Sequence, residues 1–205
     1  NLTVEGPAVL TLEAGTVVDA DTYAIHVVNG GTVIADDARL TSTAPVTSQG
    51  SHGSGLWPGL VVDSSSSAFL NGTVIERAET CLHLEGTLEA NDLTLQNCYI
   101  GLDVTGTATA EVDTLHVEQA DVFAVRNKGT LDLLNQARLH NVSIGLQSEG
   151  ATYVADLEVE DALQGVKAVS GTASIHGLTA ASNKVALGAS AGATLEAHDV
   201  TVRDS

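Results

Sequence analysis

The 205-residue sequence predicts an all-β chain wound into one parallel β-solenoid spanning residues 1–205. Three observations predict it. A Gly followed by Thr or Ala recurs at Gly86, Gly106, Gly129, Gly150, Gly171 and Gly192, with spacings of 20, 23, 21, 21 and 21 residues. Repeats of that length belong to solenoids, in which each unit buries its apolar face only against its neighbours. Within a unit the apolar residues alternate, as in Leu93-Thr94-Leu95 and Leu102-Asp103-Val104, which is the period of a half-buried strand. Hydrophobic residues make up 43% of the chain but aromatics only 3%. A narrow stacked core of Val, Leu, Ile and Ala needs few large rings.

Aligning the units gives columns. One apolar column holds Ile25, Leu82, Leu102, Val125, Leu146, Val166 and Leu187. The position before it is small: Ala24, Cys81, Gly101, Ala124, Gly145, Gly165 and Ala186. That predicts a tight bend or a close backbone approach. A second strand supplies Val17, Ile75, Leu95, Val117, Leu139, Val159 and Val202. Two residues later stand Asp19, Arg77, Asn97, Gln119, Asn141, Asp161 and Asp204. Asn and Asp tolerate left-handed backbone, so a ladder of turns is expected there.

The first 80 residues join the same scheme, because Gly6–Ile25 aligns with Gly106–Val125 without a gap. A Ser-, Thr- and Gly-rich insertion, residues 41–58, is expected to loop out. The count comes to about nine coils of 20–25 residues, a stack on the order of 40 Å long at about 4.8 Å per coil.

The formal net charge of −18 repels nucleic acid and anionic lipid. No apolar run approaches the roughly 20 residues that span a bilayer. The chain begins at Asn1 and contains no Met, which leads us to expect a secreted chain whose leader has been removed. The sequons at Asn1, Asn71 and Asn141 are candidate glycosylation sites in that compartment.

The opening segments VLTLEAGTVV (9–18), NGGTVIAD (29–36) and LWPGLVVDSS (56–65) resemble those of right-handed parallel β-helix repeat proteins of bacterial and archaeal surfaces. The run Leu93-Thr-Leu-Gln-Asn-Cys-Tyr-Ile-Gly-Leu102 fits the LxLxNAxxxGI coil of that family. The resemblance implies the right hand of the helix, a pectate-lyase-like fold of non-catalytic type, and a Trp57 packed over the solenoid.

Pectate lyases and polygalacturonases share this fold, so a polysaccharide lyase or hydrolase is the third reading. Such sites need clustered carboxylates with basic partners. Ser51-His52-Gly53 lacks paired acids, and the five Arg share no column beside acids except Arg77 with Arg203. We therefore expect no catalytic residues and no cofactor. The seven His show no zinc-motif spacing, and His26 and His83 share an outward column. Glu76, Glu118 and Glu160 recur at one outer position, interrupted by Gln96 and His140. That leaves room for weak Ca²⁺ binding without naming ligands. Only Thr107-Ala-Thr109 has the spacing of paired Thr ranks, so an ice-binding face is not expected. Cys81 and Cys98 lie three positions apart across a bend on successive coils. They are either a disulfide or buried thiols.

The ends carry the functional expectation. Val200–Ser205 leaves a coil partway round, and Asn1–Gly6 aligns with Gly101–Gly106. Residues 1–6 and 193–205 are thus two parts of one split coil. The expected assembly interface comprises Asn1, Leu2, Val4, Gly6, Val200, Val202, Asp204 and Ser205. The expected partner is a second copy, stacked head to tail into an extracellular filament or surface layer. The alternative is an adhesin-like domain of a larger cell-surface protein, binding glycan or protein through residues 41–58 or one sheet face.

Overall fold

The computed structural model describes residues 1–44 and 56–204. It is all β: 21 strands, every pairing parallel, and no helix among the described residues. The strands form three faces. The first runs through Leu2–Glu5, Ile25–Val28, Leu60–Val62 and Thr80–Leu84, and onward to Val185–Ala189. The second runs from Val9–Leu12 to Thr194–Ala197, and the third from Val17–Asp19 to Val200–Arg203. In the middle of the stack the strands run unbroken round the corners, as in Thr109–Asn127 and Thr130–Ser148.

The first-face column reads Leu2, Ile25, Leu60, Leu82, Leu102, Val125, Leu146, Val166, Leu187, which is nine coils. It contains the sequence-derived column unchanged. Counted from this face, every coil has three strands, so the split between 1–6 and 193–205 depends on where counting starts. The inward rows of all three faces merge into one core that includes Leu40, Leu60, Ile75, Leu82, Leu95 and Leu102.

The small-residue column is a close approach of coils. A Cβ on Gly101 would stand 2.4 Å from the Ala124 carbonyl oxygen, and one on Gly145 2.5 Å from that of Gly165. Gly59 belongs to the same column and has φ +107, with Thr80 O 1.7 Å from where its Cβ would be. The turn ladder is also present. Arg77, Asn97, Gln119, Asn141, Asp161, Ser182 and Asp204 all have φ between 51 and 58.

The first coil departs from the expected register on its third face. Val18, not Val17, continues Leu40, Ile75, Leu95, Val117, Leu139, Val159, Ala180 and Val202. Val17 points outward and is 62% exposed. The corner after Leu12 takes one residue more than the matching corner after Val112, and the next corner one fewer. Thr16 N–H closes the first by donating to Glu13 O at 3.0 Å around left-handed Gly15. The gapless alignment is therefore wrong only between the two corners. Asp19 also leaves the turn ladder, and Asp21 (φ 53) takes the left-handed place. Asp19 instead accepts hydrogen bonds from the Thr43 N–H and hydroxyl.

Residues 45–55 of the insertion, with Ser51-His52-Gly53, lie outside the described residues, as does Ser205. The flanks of the insertion belong to the solenoid. Thr41 closes a third-face strand, and Trp57 bridges to Ala78. Trp57 is fully buried and donates from Nε1 to Glu76 O at 2.8 Å, so it offers no exposed platform for a sugar. Arg77 Nη2 donates to Ala44 O at 3.1 Å and holds the entry to the insertion.

Cys81 and Cys98 are joined by a disulfide, with Cα atoms 5.9 Å apart. Of the two alternatives the sequence leaves open, the bend selects this one. Cys81 sits beside Gly101 in the small column and Cys98 beside Ala120, which brings both side chains into the same corner.

Candidate functional site

Outward side chains sit in rows about 4.8 Å apart, so their chemistry is that of ladders. On the second face the hydroxyl row is Thr32, Ser67, Thr87, Thr109, Thr130, Ala151, Thr172 and Thr194. Thr109 and Thr194 occupy it, not Thr107 and Ala193, because those two coils spend extra residues before the strand. The parallel row holds Glu89, Glu111 and Asp132, so on this face the described residues form no flat double rank of hydroxyls. On the third face Asp19, Thr41, Glu76, Gln96, Glu118, His140, Glu160, Ala181 and Arg203 form one row. It contains the expected acidic positions and both interruptions.

Two outward carboxylates are buried by their partners. Glu76 accepts from Arg39 Nε (2.8 Å) and Nη2 (2.7 Å), from the Thr41 hydroxyl (2.8 Å) and from Gln96 Nε2 (2.5 Å). Burial raises its affinity for a proton, yet these donors together hold the carboxyl below its usual range. Asp103 is 3% exposed. Arg126 grips it with Nε and Nη2, each at 2.7 Å, and His83 Nδ1 lies 3.0 Å from Oδ2. Here too burial opposes ionisation, but the Arg126 and His83 hydrogen bonds outweigh it and hold Asp103 at about 2. In return Asp103 pushes His83 upward, against desolvation and with help from Glu85.

The sign of the pH dependence follows. A depressed carboxyl stabilises the fold above its unfolded value near 4, and that contribution is lost as pH falls toward 2. The raised imidazole stabilises the fold fully below about 6.5, and its share is lost as pH rises through the elevated value. We expect Asp103→Ala to cost on the order of 2 kcal/mol at pH 7. The difference from the parent should close between pH 4 and 2. Urea denaturation across that range measures it, and a gap unchanged at pH 2 would refute the assignment.

Elsewhere Arg138 meets Glu158 at 3.0 Å and His140 meets Asp161 at 3.3 Å, beside a surface depression lined by Arg138, Leu139, His140, Glu158 and Glu160. Arg39 and Arg138 share a row; Arg77 and Arg203 do not, contrary to expectation. Arg39 pairs with Glu76, and Arg138 with Glu158. Among the described residues no three His, Cys, Asp or Glu side chains converge as a metal site. His26 and His83 both face outward on the first face. The sequon residues Asn1, Asn71 and Asn141 are exposed. Asn1 Oδ1 accepts from Ala24 N–H, and Asn71 Nδ2 donates to Asp36 Oδ1.

The remaining feature is the pair of end coils. At the leading end Leu2 is 44% exposed although its column is buried from Ile25 to Val166, and Leu10 and Val18 are only partly covered. At the trailing end Val202 is 48% exposed, Val200 is exposed, and Leu187 and Leu195 are partly covered. Each of these residues points inward and lacks one neighbouring coil. Strands Leu2–Glu5, Val9–Leu12 and Val17–Asp19 pair on one side only, as do Val185–Ala189, Thr194–Ala197 and Val200–Arg203. Asn1, Leu2, Val4 and Gly6 thus lie at one end of the solenoid, and Val200, Val202 and Asp204 at the other. No helix of the described residues is long and apolar enough to cross a membrane. No protein-family model, curated protein or solved structure matches the chain.

Proposed function

We propose that this chain is an extracellular structural subunit that stacks head to tail into a β-solenoid filament or surface layer, of the right-handed surface β-helix type its sequence resembles. The observation that carries the reading is the fit between the end coils. Extending each column by one coil sets Leu187 against Leu2, Leu195 against Leu10, and Val202 against Val18. Inward apolar residues meet inward apolar residues, and each open strand edge meets a parallel edge in register. Open edges of this kind are templates for pairing. A head-to-tail contact that does not close on itself produces a filament. The disulfide supports an oxidising, extracellular location, where the exposed sequon asparagines are available to glycosylation. The reading takes no catalytic residue and no cofactor, and the net charge of −18 disfavours nucleic acid as a partner.

Electron microscopy of the purified chain, with and without Ca²⁺, tests it. Thin unbranched fibres with an axial repeat of about 40 Å are expected, and deletion of residues 1–5 should abolish them. Monomers under every condition would overturn self-assembly. An adhesin-like domain within a longer surface protein would then be the better reading.

A further inference from the structure

We infer that the junction between stacked copies is an electrostatic latch, in which His198 and Arg203 of one copy face Glu13 and Asp19 of the next. The inference rests on the stacking reading and specifies its contacts. It comes from two rows. On the third face, Asp19 begins the row that Arg203 ends, so the next coil beyond Arg203 places Asp19 directly over it. On the second face Leu12 and Ala197 belong to one column, and the residues that follow them are Glu13 and His198. Both point outward and are exposed. The row then reads His176, His198, Glu13 and Asp36 across the junction. Within one copy the His176 and His198 rings already stack, with centroids 5.6 Å apart, and Tyr153 packs on His176 at 5.3 Å.

The charges are distributed to match. Residues 1–24 contain Glu5, Glu13, Asp19 and Asp21 and no basic side chain. The trailing coil, residues 184–204, carries Lys184, His198 and Arg203 beside Glu196, Asp199 and Asp204. In a chain with 8 Lys plus Arg against 26 Asp plus Glu, this coil is a place where a second strongly acidic copy can approach. It also sets polarity, because two leading ends would bring acids against acids.

Histidine is the side chain whose charge changes between pH 5 and 8. A proton on His198 or His176 adds positive charge facing Glu13 and Asp36. Glu196, two residues before His198, Asp199, just after it, and Asp156, in the coil below His176, are the acids closest along these strands. Stacking should therefore tighten as pH falls from 8 to 6. Salt should weaken it, since the groups lie at the rim of the junction.

The test is the critical concentration for fibre growth, measured by sedimentation in EDTA at pH 8 and pH 6. Wild-type chains should assemble at about three- to tenfold lower concentration at pH 6. The double variant His176→Gln/His198→Gln should lose most of that pH response while still forming fibres. Glu13→Lys alone and His198→Glu alone should each raise the critical concentration. A chain carrying both should recover, and Arg203→Asp with Asp19→Lys should behave likewise. Fibres whose critical concentration ignores pH and all these changes would overturn the latch and leave the stacking reading standing. Wild-type chains that never assemble would overturn the stacking reading itself, and the latch with it.

Discussion

Replacing Leu102 with alanine is expected to lower the unfolding free energy by about 3–5 kcal/mol. Leu102 is fully buried in the middle of the stack, between Leu82 below and Val125 above. Coils are fixed in spacing by their parallel hydrogen bonds, so they cannot collapse into the space a missing isobutyl group leaves. The cavity term is therefore retained in full. The same change at Leu187, in the same column but in the trailing coil, should cost only about 1 kcal/mol in the single chain, because that residue is already partly open to water. Urea denaturation of the two variants gives the comparison. Equal losses would contradict a core whose burial falls off at its ends. In fibres the ranking should narrow, since a stacked copy would cover Leu187.

Removing the disulfide should cost about 3 kcal/mol, the loop-closure value for a spacing of this size. Cys81 and Cys98 are 17 residues apart and join successive coils next to the insertion. Changing both to alanine suits the site, because Ala120 and Ala162 already occupy the column of Cys98. A denaturation midpoint that falls on adding reductant to the parent, and does not move in the double variant, would establish the bond. A parent indifferent to reductant would show that the two thiols contribute only as buried apolar groups.

The fold was legible because a solenoid writes its architecture in one dimension. Every coil must place an apolar residue at the same position, so the column from Ile25 to Leu187 needs no knowledge of distant contacts. The turn ladder was legible for the same reason. Left-handed backbone recurs at the corner after the third-face strand, where Asn97, Asn141, Asp161 and Asp204 fill it. Slips occurred where coils differ in corner length. Val17 and Val18 are adjacent apolar residues, and alternation alone cannot choose between them. The choice is made by the turn at Glu13–Thr16. Thr107 and Thr109 pose the same ambiguity, resolved by the two residues inserted before the strand. The proposed meeting of His198 with Glu13 was not legible at all. It requires knowing that Leu12 and Ala197 share a column at opposite ends of the stack.

The sequence by itself determined the repeat, the inward columns, the acidic surface and the mismatch between many carboxylates and few bases, because each depends on residue identity at fixed spacing. The tertiary structure decided which outward groups meet. Asp103, read from the sequence as one polar position in an alternating strand, becomes a buried carboxylate held at about 2. Arg126 and His83 reach it from the coils on either side. Those partners are 23 and 20 residues away in the chain but one strand spacing away in space. Burial by neighbours, unlike burial by hydrophobicity, exists only once the coils are stacked.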